Sequence, residues 1–306
     1  MVTPHRAIGI GELLWDLLPA GPRLGGAPFN VIAHLARFGV RTAYVSAVGR
    51  DERGRQALDE LGRLGVETAA VELNDLPTGT ARVRLDPAGV PEFEIVSPAA
   101  YEAITPPTGR GPVVGGGSPE LLVYGTLALR FKGPRAILRR LVHEAPTAER
   151  LYDVNLRPGC WEPALVEDLL SSATVVKLND DEQRVLALEL GLPSSSSEAF
   201  GRAMCRRYEL RGVCVTRGPR GAVLLLDETY AEVPAPVVHV VDTVGAGDAF
   251  AAGLGFGLLE GWNVQPILTA AARLGSFVAS RAGAIPPWTL ADIGLAGPTS
   301  TSAPAG

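Results

Sequence analysis

Nine residues, Asp242-Thr243-Val244-Gly245-Ala246-Gly247-Asp248-Ala249-Phe250, carry the chain's most informative chemistry. Small residues run into a helical pattern with apolar positions at Phe250, Leu254 and Leu258. Glycines at a helix start let a ligand approach the backbone. The free N–H groups of the first turn then point at it, and the helix dipole favours negative charge. Gly245, Ala246 and Gly247 thus read as an anion hole with Asp248 at its mouth. Asp248 is either an ordinary N-capping aspartate or a carboxylate placed to take a proton from an attacking hydroxyl. A second stretch, Gly25-Gly26-Ala27-Pro28-Phe29-Asn30, opens another helix with apolar residues at Val31, Leu35 and Phe38. Two glycines and a proline make a tight helix entrance, and Asn30 falls in the first turn, where it can face a polyhydroxylated ligand. Taken alone, such an entrance is as readily structural.

Other chemistries lack their residues. There is no GxxxxGK[ST] and no GxSxG. Gly9-Ile10-Gly11 and Gly245-Ala246-Gly247 both lack the third glycine of a dinucleotide fingerprint. The histidines, His5, His34, His143 and His239, show no metal-ligand spacing. Cys160, Cys205 and Cys214 form no CxxC and read as small buried side chains in a reducing compartment.

The elements that must position these residues alternate along the chain. Short Val/Leu/Ile-rich runs, Ala7–Ile10, Ala43–Val48, Leu121–Tyr124, Thr174–Leu178, Val213–Thr216 and Ala222–Leu226, read as strands buried on both faces. Between and after them, amphipathic helices are expected at Phe29–Phe38, Arg53–Leu64, Pro134–His143, Asp180–Leu190, Glu198–Leu210, Asp248–Leu259 and Pro266–Arg281. This order implies an α/β fold, a mostly parallel sheet with helices on both faces. Thr78–Leu85 and Val90–Val96 break the rhythm as a hairpin around the turn Asp86-Pro87-Ala88-Gly89. Such a hairpin is either a lid over a site or a plain surface feature. Thr105–Pro119 reads as a loop and Gly297–Gly306 as a disordered tail.

With 306 residues and a net charge of −5, the chain is long enough for a large core and is no general nucleic-acid or membrane binder. The N-terminus lacks an apolar signal region, and no run approaches the ~20 residues of a membrane span. A cytoplasmic protein is expected.

Taken together, the two glycine-containing stretches resemble the two signatures of the ribokinase-like (PfkB) carbohydrate kinase family. Gly25 to Gly39 is similar to G-G-x-x-x-N-x-x-x-x-L-[AS]-x-x-G, and Asp242 to Asp248 to D-T-x-G-A-G-D. Further likenesses follow in order: Gly11-Glu12-Leu13-Leu14-Trp15-Asp16, Gly49-Arg50-Asp51-Glu52-Arg53-Gly54, Asp153-Val154-Asn155-Leu156-Arg157, Lys177-Leu178-Asn179-Asp180-Asp181-Glu182 and Thr216-Arg217-Gly218-Pro219-Arg220-Gly221. Together they span roughly residues 8 to 287. The resemblance implies one ribokinase-like kinase domain over residues 1–296, with a small β lid made mainly of 78–98 and part of 11–24. It implies transfer of the γ-phosphoryl group of ATP to a primary hydroxyl of a sugar, with Asp248 as general base. Gly245, Ala246 and Gly247 would hold the phosphoryl charge. Asp16, Gly25, Gly26, Asn30, Asn155 and Arg157 would bind sugar. Asp16, moreover, is read as ending an apolar strand, at the carboxyl edge where ligands of such sheets bind. Lys177, Asn179, Thr216, Gly218, Gly221, Gly245, Gly247 and Gly275 would meet the nucleotide. Asn179 and Glu182 would organise Mg²⁺ through water, and Asp242, Val244, Ser280 and Gly283 would ligate K⁺. A homodimer through the lid is a further implication.

Within the family, Glu12–Asp16, Gly25–Pro28 and Asp153–Arg157 followed by Trp161 most resemble fructokinases, with 2-keto-3-deoxygluconate kinases next. Two departures stand out. Phe29 and Ile32 occupy positions where the family often carries alanine, so Phe29 either narrows the sugar pocket or faces the core. The Ala270–Arg281 helix lacks the asparagine seen in many members.

Overall fold

The computed structural model describes residues 5–18, 21–85, 91–106 and 113–295. The hairpin turn at 86–89, part of the 105–119 loop and the tail at 297–306 lie outside the described residues. The first elements are β1 (Arg6–Ile10), β2 (Leu14–Leu18), β3 (Gly21–Gly25), α1 (Ala27–Arg37), β4 (Arg41–Gly49), α2 (Glu52–Arg63), β5 (Val66–Glu67), β6 (Val71–Asn74), β7 (Gly79–Leu85) and β8 (Pro91–Val96). Next come β9 (Leu121–Tyr124), α3 (Lys132–Glu144), β10 (Glu149–Asp153), α4 (Pro163–Leu170), β11 (Val175–Asn179), α5 (Asp180–Glu189) and α6 (Ser197–Tyr208). The last are β12 (Gly212–Thr216), β13 (Ala222–Leu226), β14 (Thr229–Val233), α7 (Ala246–Leu259) and α8 (Val264–Ala279).

Most strands form one ten-stranded sheet, ordered β14-β13-β12-β11-β10-β9-β1-β4-β5, with β6 also on β4. From β12 to β5 the pairings are parallel; β13 and β14 add an antiparallel edge. Alternating strand residues feed two cores. Tyr44, Val48, Val123 and Cys214 pack under α1, α2, α7 and α8, whereas Ile8, Val45, Tyr152 and Val176 pack under α3 to α6. After β1 the chain winds outward to β4, then returns to β9 and winds the other way. The carboxyl ends of β1 and β9 therefore flank a topological switch point, where open α/β sheets bind ligands.

A second sheet, ordered β3-β2-β7-β8, stands at this end. Its inner residues Leu14 and Ala81 pack on Tyr101, Leu127 and Ala128. The expected hairpin is therefore half of a four-stranded sheet, and the 11–24 region supplies the rest. The Gly49/Asp51/Gly54 pattern has a structural role at its root. Asp51 caps α2 by accepting from Gly54 N (2.8 Å) and also accepts from Thr78 N (2.9 Å) and Thr78 Oγ1 (2.6 Å), just before β7.

Candidate active site

Gly245 takes up φ +77° at the start of α7. A Cβ there would stand 2.5 Å from Ala284 Cα, so the tight turn and the close approach both require glycine. Ala246 N donates to Thr243 O (3.3 Å) and Ala249 N to Gly245 O (2.8 Å). The amides of Gly247 and Asp248 have no acceptor among the described residues. They leave two N–H groups free at the helix start, as an anion-binding end would need. Asp248 does not cap α7: its side chain turns across to α1, where Asn30 Nδ2 donates to Asp248 Oδ2 (2.7 Å). Burial lifts the Asp248 carboxyl above the usual carboxylate range, against the Asn30 hydrogen bond and the charges of Lys177 and Arg157. Asn30 is thereby committed to Asp248 rather than pointing free, and its Oδ1 is buried without a partner among the described residues.

Beneath this end of α7 lies a buried ion pair. Lys177 Nζ donates to both oxygens of Asp153 (3.0 and 3.1 Å) and would touch a Cβ at Gly247 at 3.3 Å. Burial works against the ammonium charge, but the carboxylates of Asp153, Glu182 and Asp248 outweigh it and raise the Lys177 pKa. Sequence reasoning gave Asp153 no role of its own, although it begins the Asp153–Arg157 stretch.

Asp16 corrects one expectation. The apolar strand β1 ends at Ile10, and Asp16 is the central residue of β2 in the small sheet, opposite Arg23 of β3. A turn carries the chain from one sheet into the other, so the side chain still overhangs the strand ends. Burial lifts Asp16 to about 6, with Arg157 pulling down and Asp248 and Glu12 pushing up. The exposed Arg157 thus faces three carboxyl groups. Glu12 was no candidate, yet Ala27 N donates to its Oε1 (3.0 Å) and fixes the start of α1. A Cβ at Gly25 would stand 2.9 Å from Asp16 Oδ2, and Gly26 holds φ +135° at the N-cap of α1. Asn155 holds the left-handed φ of +41°. Phe29 is fully buried edge-on to Tyr44 (5.8 Å between centroids), and it also borders a cavity of about 480 Å³ with Trp15, Asp16, Arg23 and Ile285.

On the other side, Asn179 and Glu182 form a capping box for α5. Asn179 Oδ1 accepts from Glu182 N, and Glu182 Oε2 accepts from Asn179 N (2.8 Å each). Glu182 Oε1 accepts from Leu156 N (2.8 Å). Thr216 ends β12, and Gly218 (φ +54°) and Gly221 (φ +88°) shape the turn into β13. Gly275 departs from expectation. It is buried in α8, and a Cβ there would stand 3.0 Å from Ala246 O and 3.3 Å from Phe250 Cβ, so it seats α7 on α8 instead of facing a nucleotide.

Two of the four positions expected to ligate K⁺ already accept hydrogen bonds. Ser280 O and Oγ both accept from Arg281 Nη1 (3.2 Å). The Asp242 carboxylate accepts from Val244 N and Gly283 N (3.0 Å each) and pairs with Arg23 (3.4 Å). Arg23 Nη1 also stands 3.2 Å from where a Cβ of Gly283 would be. These bonds engage the Asp242 carboxylate and Ser280, whereas the backbone carbonyls of Asp242, Val244 and Gly283 accept no hydrogen bond among the described residues.

Residues 21–290 match the family model of the pfkB family carbohydrate kinases. The chain is a pfkB family carbohydrate kinase. The kinase is 30% identical over 301 residues to a fructokinase of Salmonella typhimurium, covering 90% of this chain and 94% of that one. A sugar kinase of Pyrococcus horikoshii solved in complex with ATP shares 27% identity and a TM-score of 0.76, over 91% of this chain and 93% of the other. A 2-dehydro-3-deoxygluconokinase of Thermotoga maritima, at 18% identity, shares the fold with a TM-score of 0.77, over 94% and 98% of the two chains. The kinase is thus a phosphotransferase with a hydroxyl acceptor, using ATP and a sugar, on a ribokinase-like α/β fold. None of its described helices is long and apolar enough to cross a membrane.

Proposed function

We propose that this kinase transfers the γ-phosphoryl group of ATP to a primary hydroxyl of fructose, with Asp248 as general base. The observation that carries the reading is the Asn30–Asp248 hydrogen bond beside the two unpaired amides of Gly247 and Asp248. It places a proton acceptor next to an anion-binding helix end, as in-line transfer to a hydroxyl requires. Asn30 holds one carboxylate oxygen still, leaving the other for the sugar hydroxyl. The two amides and the Lys177 ammonium stabilise charge on the moving phosphoryl group. Asp16 and Arg157 orient the sugar from the small sheet and from the loop after β10. In this reading the small sheet is the lid, and Thr216, Gly218 and Gly221 flank the nucleotide.

Fructose is preferred to a sugar acid on charge. Around the acceptor position Glu12, Asp16 and Asp248 outnumber the guanidiniums of Arg157 and Arg23, the second of which is paired with Asp242. A substrate carboxylate entering there meets more like charge than opposite charge, whereas sugar hydroxyls satisfy both signs.

Magnesium, when bound with ATP, neutralises charge between the β- and γ-phosphates. Each Glu182 oxygen accepts one backbone N–H and keeps a second lone pair. Glu182 and Asn179 would therefore hold Mg²⁺ through its waters, not as direct ligands. The free carbonyls of Asp242, Val244 and Gly283 would hold K⁺ beside the α7 turn, and no step runs through that ion.

The test is ADP release with Mg²⁺ across fructose, 2-keto-3-deoxygluconate, ribose, tagatose and adenosine, for the wild type and Asp248→Asn. Fructose is expected to give the highest kcat/KM. Asp248→Asn is expected to lose at least about a hundredfold in kcat while fructose binding, read by calorimetry, stays within a few-fold. Preference for another sugar discards the fructose assignment and keeps the mechanism. An active Asp248→Asn discards the base.

A further inference from the structure

His34 lies one helical turn beyond Asn30 on the same face of α1 and is fully buried. Trp288 Nε1 sits 2.9 Å from His34 Nδ1, and His34 Nε2 sits 2.9 Å from Ala284 O. An indole nitrogen only donates and a carbonyl only accepts. Nδ1 is therefore the acceptor, and the ring hydrogen is on Nε2, donating to Ala284. Burial agrees with a neutral ring, pushing the imidazole down to about 4. Ala284 is also the residue against which Gly245 closes, and its neighbour Gly283 donates to Asp242. The 283–284 segment thus braces the turn that begins α7 from both ends.

We propose that His34 is a positioning residue for phosphoryl transfer: through its Nε2–H it holds Ala284 against Gly245, so that α1 sets both the base, through Asn30, and the anion-binding turn, through His34. The helix that sets them and the turn that carries them lie more than 200 residues apart in sequence, Asn30 and Asp248 being separated by 218. One helix face brings them into register. A shift of the turn relative to Asp248 of even about 1 Å costs rate rather than binding, because the misplaced amides meet the transferring phosphoryl group and not the sugar.

The inference rests on the kinase reading, and two measurements separate their failures. The first is kinetic. His34→Phe keeps the ring's bulk and removes the donor, whereas His34→Gln restores a donor. His34→Phe is expected to lower kcat ten- to a hundredfold while the sugar KM stays within threefold. His34→Gln is expected to recover at least a third of the lost rate on a logarithmic scale. An unchanged kcat in the Phe variant, or a sugar KM that rises as much as kcat falls, overturns the proposal. Where the Phe variant does not fold, the Gln variant decides: a kcat about two- to twentyfold below wild type with an unchanged sugar KM supports it, and an unchanged kcat, a larger loss, or a sugar KM that rises as much as kcat falls overturns it. The second measurement is the imidazole ¹⁵N spectrum of the wild-type protein, which does not depend on turnover. A neutral ring with hydrogen on Nε2 is expected, and the opposite tautomer overturns the proposal even if every sugar is phosphorylated. A wild type that phosphorylates nothing counts instead against the kinase reading.

Discussion

Asp16 and Asp248 are both carboxyl groups whose protons burial makes harder to lose, and the pH response of the enzyme follows from them. Asp16 is lifted to about 6, so below that pH the free protein carries it increasingly as the neutral acid. A sugar hydroxyl needs the carboxylate as acceptor, so binding weakens as pH falls. In an Asp248→Asn background, which removes the second carboxyl group, the fructose dissociation constant is expected to be flat above pH ~7. Below pH ~5 it should rise about tenfold per unit, the slope of one proton. Asp16→Asn in the same background is expected to bind weakly at every pH and to lose the slope. Calorimetric titrations between pH 4 and 8 check this, and an unchanged slope in Asp16→Asn assigns the proton to another group.

At the level of elements, α7 must keep its start in place, and α8 is the surface it rests on. A Cβ at Gly253 would stand 2.7 Å from Ala271 Cα, backbone against backbone, with no side chain to move aside. A Cβ at Gly255 would meet Leu121 Cδ2 at 3.0 Å, the end of a flexible side chain. Alanine improves helix propensity equally at both, by about 1 kcal/mol. Overpacking at a rigid contact costs about 1–3 kcal/mol. Gly253→Ala is therefore expected to lower both Tm and kcat, and Gly255→Ala to leave both near the wild-type values. Thermal melts and ADP-release rates of the two variants check it. The same contrast explains what was legible beforehand. Leu121–Tyr124 and Ala222–Leu226 read as strands because their apolar runs are unbroken, and the structure returns them with those limits. β10, with Glu149 and Arg150, carries charges within the strand and is not among the expected strands, and Asp16, expected at the end of a strand, lies inside β2. The anion-binding turn was legible because glycine spacing is local. The Asn30–Asp248 and His34–Ala284 contacts were not, because they join distant segments and leave no periodic trace.

The whole molecule is a ten-stranded body with a four-stranded sheet standing over one end, and the proposed acceptor position lies between them. Asp16 belongs to the small sheet, whereas Asp248 and Lys177 belong to the body. A sugar that engages both ties two units that pack on each other through the patch around Leu14, Ala81 and Tyr101 and through Trp15 and Leu24. In the proposed reading ATP engages the body at the opposite side of the α7 turn. Each ligand binds the native state and not the unfolded chain, so each stabilises by mass action, about 2.7 kcal/mol at a hundredfold excess over its dissociation constant. For a chain of this size that is a rise in Tm of several degrees. Fructose and Mg·ATP are each expected to raise Tm, and 2-keto-3-deoxygluconate at the same concentration to raise it less, because of the carboxyl groups around Arg157. Asp16→Ala is expected to abolish the fructose shift while keeping that of Mg·ATP, since the residue it removes lies only on the small sheet. A fructose shift that survives Asp16→Ala places the sugar wholly on the body and removes the small sheet from the binding site. Loss of both shifts in Asp16→Ala shows instead that the small sheet also governs the nucleotide side.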